Sequence, residues 1–269
     1  MQTETTQSPP PSSQRFARES AAAISIGWLL TPLFIITSLI TLLTWHPLIA
    51  VSRRVLPTRW HDLFIALGNR VLQYCFYLTG GSVAFRGLEN IPKDRVFVVV
   101  SNHQSLFDIP LLIWLLRGRN AKFIAKKSLG RGIPSASYVL RSNGHALIDR
   151  GNALQATTEI RALAQRINAT GGAAVLFPEG TRARDGKLKS FKPGGLKTLL
   201  AELGAVSVVP VSIDGAWRIM RFKFLPVPFR VPVACTVHKQ IRVEAGDDPI
   251  AVSQRCEEVL RTALSAGSL

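Results

Sequence analysis

The chain has 269 residues, 47% of them hydrophobic, with 33 Lys and Arg against 17 Asp and Glu and a net charge of +16. That length buries a full core with room for an appendage, and the composition excludes a disordered chain or a small secreted scaffold. The charge excess favours an anionic partner, whether nucleic acid, lipid headgroup, phosphorylated substrate or acidic carrier protein, without choosing among them. Cys75, Cys235 and Cys256 are odd in number and far apart, which is neither a disulfide framework nor a zinc pattern but suits reduced thiols in a cytosolic compartment.

Residues 1–19, rich in Ser, Thr, Gln and Pro, read as a disordered tail. Residues 20–52 contain no Asp, Glu, Lys or Arg. As helix they would run about 50 Å, more than the roughly 30 Å of a bilayer's hydrocarbon, with Pro32 and Pro47 expected to kink or end helices on the way. Arg53, Arg54 and Arg59 after this stretch, against Arg15 and Arg18 before it, place the chain beyond residue 52 on the cytoplasmic side. Residues 60–79 carry an apolar pattern broken by Asp62, Asn69, Arg70 and Gln73, as in an interfacial amphipathic helix. Residues 20–80 thus form a membrane-embedded and interfacial helical segment; a true span and a hairpin dipping into one leaflet both satisfy the pattern.

From residue 81 to 269 strand-like and helix-like segments alternate. Strands are expected at 83–86, 96–101, 122–125, 145–148, 173–177, 206–213 and 233–243, the last broken, and helices at 109–117, 153–168, 195–203 and 250–265. Asp248 before Pro249 marks a helix start, and Gly171-Gly172 a helix end. The alternation predicts an α/β domain with a mixed, largely parallel sheet flanked by helices.

Four stretches carry candidate chemistry. "SNHQSLFD" (101–108) comes directly after the apolar run "VFVVV", which puts His103 at a strand end. Positions five apart do not face each other on a helix, so only a turn brings Asp108 to the imidazole; there it would fix the tautomer and leave the other nitrogen free to take a proton. The competing reading is a Ser105-x-x-Asp108 capping box with a structural histidine. "AAVLFPEGTRARDGKLKSFKPGG" (173–195) ends a buried strand on Glu179-Gly180-Thr181-Arg182. Gly180 permits close approach to the backbone, Thr181 offers a hydroxyl and Arg182 a planar fork for phosphate. The basic run after it reads either as a solvated loop or as an anion-docking patch, with Asp185-Gly186 as a hairpin turn. "NGHALIDRGN" (143–152) supplies Arg150 as a second phosphate ligand, and "VSVVPVSIDGAW" (206–217) is a strand whose Pro210 argues for an edge or a bulge. There is no Gly-x-Ser-x-Gly elbow, phosphate-binding P-loop, His-Glu-x-x-His or dinucleotide fingerprint. What remains is a base, an acid partner, arginines and a membrane, the set needed for direct attack of a substrate hydroxyl on an activated acyl group.

The chain resembles the glycerolipid acyltransferases. Asn102 to Asp108 matches their His-x4-Asp block and Phe177 to Arg182 their Phe-Pro-Glu-Gly-Thr-Arg block. Gly144 to Arg150 and Val208 to Val211 look like the second and fourth blocks, with His145-Ala146-Leu147 where an aromatic is more usual. The resemblance covers residues 101–213 and not the first 80. It implies a glycerolphosphate acyltransferase-like fold and phosphatidate formation from 1-acyl-sn-glycerol 3-phosphate, with acyl-CoA or acyl-ACP as donor substrate and no cofactor or metal. It implies His103 as general base and Asp108 as its partner. Glu179, Gly180, Thr181 and Arg182, assisted by Arg150, would bind the lysophosphatidate phosphate, and backbone N–H groups near 102–106 would meet the oxyanion. The expected setting is a bacterial inner membrane with membrane lipid as partner. One alternative keeps the reaction with another acceptor, a lysophospholipid or lyso-ornithine lipid. A remoter one is a non-catalytic basic protein binding membrane or nucleic acid; it rests on charge alone, and no nucleic-acid partner is expected.

Overall fold

The structure, a computed structural model, describes residues 19–267. Apart from Glu19, the expected N-terminal tail lies outside the described residues. Glu19 itself is held, accepting two hydrogen bonds from the Arg218 guanidinium at 2.7 and 2.8 Å.

Eight strands among the described residues form one sheet: β1 (Ser82–Arg86), β2 (Val96–Ser101), β3 (Lys122–Lys126), β4 (Ala146–Ile148), β5 (Gly172–Leu176), β6 (Val206–Asp214), β7 (Pro232–Val237) and β8 (Ile241–Val243). The order is β1-β7-β6-β2-β5-β3-β4, parallel throughout except that β7 and β8 run antiparallel along β6. The central strands are apolar on both faces because both faces are covered. Phe97 and Val99 of β2 face the helix α3 (Asp108–Leu115) through Leu111 and Leu112. Val98 and Val100 face α5 (Ala153–Thr170), α6 (Gly194–Leu203) and α8 (Pro249–Ala266) through Leu163, Ile167, Leu196, Leu199 and Cys256. Asn152 caps α5 and Asp248 caps α8, each accepting N–H groups of the first turn. Two short helices, α4 (Ala136–Ser142) and α7 (Ala216–Ile219), are additions to the sequence-based expectation.

Pro210 sits at the centre of the sheet, not at an edge: β6 pairs with β2 on one side and with β7 and β8 on the other. Its carbonyl accepts the His238 N–H at 2.9 Å, so its missing N–H points to the break between β7 and β8, where no ladder bond is lost. The irregularity lies in the neighbouring strand.

The helix α1 (Ala21–Val55) is one unbroken helix with both Pro32 and Pro47 inside it, so neither proline ends a helix there. Contacts near both ends seat it on the rest of the chain. Near its start, Thr31 exchanges hydrogen bonds with the Val227 backbone, and a Cβ on Gly27 would lie 2.4 Å from the Val227 carbonyl oxygen. Near its end, Trp45 stacks on Phe64 at 5.4 Å and His46 accepts the Ser135 N–H at 3.0 Å. α1 is long and apolar enough to cross a membrane, yet it touches the α/β domain at both ends. Leu29, Leu33, Ile36, Ile40 and Leu43 point outward along it. The amphipathic helix α2 (Thr58–Tyr77) lies between α1 and α3, with Gln73 donating to the Pro110 carbonyl at 2.9 Å.

Candidate active site

The C-terminal ends of the parallel strands β2, β4 and β5 deliver the three candidate stretches to one rim of the sheet, where open α/β folds place their ligands. After Ser101 the main chain leaves β2, but Asn102 prolongs the pairing: its carboxamide donates to the Ile213 carbonyl at 2.8 Å and accepts the Ile213 N–H at 2.7 Å. That clamp fixes where His103 begins.

The turn from His103 to Asp108 brings the acid back to the imidazole. Ser105 Oγ accepts the Phe107 N–H at 2.9 Å, while Asp108 Oδ2 accepts the N–H groups of Gln104 at 2.6 Å and Ser105 at 2.9 Å, which is the acid's half of a capping box although the helix itself starts at Asp108. The same Oδ2 lies 2.7 Å from His103 Nδ1. Asp108 is fully buried, so its charge is carried by these donors. The cap holds the acid and the acid holds the ring, with Phe177 stacked against the imidazole at 4.3 Å. His103 is 13% exposed, and its side-chain hydrogen bond uses Nδ1, which leaves Nε2 as the ring nitrogen available to a substrate.

Glu179 has a different part from the one expected. It is 2% exposed, with Oε1 accepting the His103 N–H at 2.7 Å and Oε2 the Lys189 N–H at 3.1 Å. Both oxygens are spent on main chain, so this side chain fastens the two loops together. Burial, opposed by those two hydrogen bonds, pushes its carboxyl up to about 7. A third tie joins the loops, the Ala183 N–H donating to the His103 carbonyl at 2.7 Å.

This lacing sets Arg182 beside the histidine loop. Burial lowers the Arg182 guanidinium, the Arg184 charge adds to that, and Asp108 opposes it. Arg150, after β4, is lowered by burial and then by the charge of Arg182. Two guanidiniums near enough to repel each other, each partly desolvated, are a poor arrangement alone and a good one around a dianion. Gly180 has φ +68°, and a Cβ there would approach the Lys192 side chain. Thr181 is exposed, its hydroxyl accepting from Lys189 Nζ at 3.0 Å. Asp185-Gly186 is a tight turn without flanking strands, in place of the expected hairpin.

Met220 was not among the expected site residues, yet its sulfur accepts hydrogen bonds from the Leu106 N–H at 3.2 Å and from Arg182 Nη1 at 3.3 Å. A methionine between Ile219 and Arg221 carries no local signature of such a position. His145 is also structural: Nδ1 accepts the Phe123 N–H at 2.9 Å, and burial, followed by the charges of Lys122 and Arg166, lowers the imidazole to about 3.

Residues 82–214 match the family model described as Acyltransferase. A Brassica napus chloroplastic 1-acyl-sn-glycerol-3-phosphate acyltransferase is 32% identical over 213 residues, 79% of this chain and 59% of its own length. The human 1-acyl-sn-glycerol-3-phosphate acyltransferase alpha is 33% identical over 141 residues, 52% of this chain and 48% of its own. This chain covers 59% and 51% of the first two plant relatives, a little over half of each. The crystal structure of the 1-acyl-sn-glycerophosphate acyltransferase PlsC from Thermotoga maritima superposes with a TM-score of 0.73 at 28% identity, covering 88% of this chain and 93% of that one. The chain belongs to the acyltransferase family whose members these relatives are.

Proposed function

We propose that this protein transfers an acyl group from an acyl thioester to the sn-2 hydroxyl of 1-acyl-sn-glycerol 3-phosphate, giving phosphatidate and a free thiol. The observation that carries this reading is the His103 Nδ1–Asp108 pair at 2.7 Å, laced to the loop that presents Arg182. His103 Nε2 takes the proton of the attacking hydroxyl as its oxygen bonds to the thioester carbonyl carbon. The tetrahedral intermediate then expels the thiolate, which takes the proton back from the imidazolium. Arg150 and Arg182 hold the acceptor phosphate, and the reaction balances without a cofactor.

Membrane attachment is assigned to α1. Because the helix touches the domain at both ends, its outward apolar stripe is suited to lie in one leaflet of a bacterial inner membrane, with the domain on the cytoplasmic side, where a lyso-lipid enters laterally. The test is the detergent-purified protein with a panel of lyso-lipid acceptors and product identification by mass. Phosphatidate from lysophosphatidate, lost in His103→Ala with membrane association kept, is the expected result. Turnover retained in that variant overturns the base, and product only from a phosphate-free lyso-lipid overturns the acceptor.

A further inference from the structure

The reaction proposed above, on which this inference rests, brings two substrates to one imidazole. If Arg150 and Arg182 hold the acceptor phosphate, an anionic handle on the donor needs cations of its own. The chain has a second set. Arg184, Lys187 and Arg221, with Asp185 and Trp217, line an open groove of about 360 Å³ in which Arg182 takes no part.

Its construction is specific. The Asp185-Gly186 turn lies flat on the indole: Gly186 has φ +79°, and a Cβ there would fall 2.5 Å from Trp217 Nε1. Only glycine allows that approach, which brings Arg184 and Lys187 up to Arg221. The Arg221 guanidinium sits 5.3 Å over the Trp217 ring. Its Nη1 is buried without a hydrogen-bond partner among the described residues. The carboxylate it approaches, Glu19 at 4.0 Å, already accepts both Arg218 bonds. The one acid of the groove, Asp185, accepts the Lys187 N–H at 3.1 Å and so turns back on its own loop. The groove is also tied to the catalytic turn, through Ala183 N–H to the His103 carbonyl and Trp217 N–H to the Gln104 side chain at 3.3 Å.

We propose that this groove binds the phosphates of a nucleotide handle on the acyl donor, which makes coenzyme A thioesters the donor class. The site is concave and holds three cations against one acid, which suits a compact polyphosphorylated small molecule; the helix face of a carrier protein calls for a protruding patch. The flexible arm between nucleotide and thioester lets the phosphates dock outside the cleft while the acyl carbonyl reaches His103.

Arg184→Gln and Lys187→Gln, both on the exposed turn, test it separately and together. Two readouts are taken: calorimetric binding of adenosine 3′,5′-bisphosphate, and kcat/KM for an acyl-CoA relative to the phosphate-free acyl-N-acetylcysteamine thioester. The double variant is expected to weaken nucleotide binding and lower that ratio about 10- to 100-fold, the loss of one or two charge-assisted contacts. An unchanged ratio, a rise confined to the KM of lysophosphatidate, or turnover only with an acyl carrier protein and no nucleotide binding would each overturn it. Binding requires no turnover. Groove-dependent nucleotide binding without transfer to lysophosphatidate would therefore overturn the proposed reaction and support the site.

Discussion

Asp108 offers the most discriminating perturbation, because its oxygen Oδ2 receives three donors at once: His103 Nδ1, Gln104 N–H and Ser105 N–H. In Asp108→Asn the amide oxygen must take that position, since an NH2 group would face two main-chain N–H groups. Asparagine therefore still accepts from Nδ1–H and keeps the ring and its tautomer; only the negative charge opposite the developing imidazolium is lost. A charge-assisted hydrogen bond contributes about 1.5–3 kcal/mol, so kcat should fall about 10- to 150-fold. Asp108→Ala removes the orientation as well and should cost about 10³- to 10⁴-fold, in the range of a lost oriented base. The assay is phosphatidate formation at saturating lysophosphatidate and donor, with thermal melts to verify folding. Asparagine and alanine variants equally impaired would refute the argument that the main chain orients the acid. An asparagine variant within threefold of wild type would refute the use of its charge.

The site makes two further outcomes measurable. Glu179, raised to about 7 from 4.5 by burial, keeps a proton in the folded protein that the unfolded chain gives up, so stability should fall as pH rises through that interval, by about 3 kcal/mol in all. Denaturant midpoints across the interval measure this, and Glu179→Gln should flatten the slope; a slope unchanged in that variant places its origin elsewhere. Met220→Leu keeps the packing and removes the acceptor of Leu106 N–H and Arg182, so KM for lysophosphatidate should rise about threefold to tenfold with the melting temperature nearly unchanged, the scale of one weak hydrogen bond. Indistinguishable KM values for wild type and variant would remove the sulfur from the acceptor site.

The elements that carry the site were legible where one local rule dominated. The runs at 96–101, 173–177 and 206–213 read as buried strands because both of their faces meet helices, and β2, β5 and β6 lie there. The end of α5 at Gly171, the Asp248 cap of α8 and the break within 233–243 were legible for the same reason: each depends on neighbours in sequence. Of the alternatives open for the prolines, an edge position for Pro210 and helix ends at Pro32 and Pro47 failed, because a proline's cost depends on what faces the missing N–H and what flanks the helix, and both are tertiary facts.

At the site the division is similar. The amino-acid sequence alone determined that a histidine and a carboxylate end one strand and that a glutamate, a glycine and an arginine end another, since strand ends and residue types are local properties. Only the tertiary structure decided which of these groups face the cleft. Glu179 turns inward because two main-chain N–H groups from different loops converge on it, and Met220 reaches Arg182 because the segment after β6 folds back over the rim. A side chain's partner is chosen by chain segments tens of residues away, and no spacing within one stretch encodes that meeting.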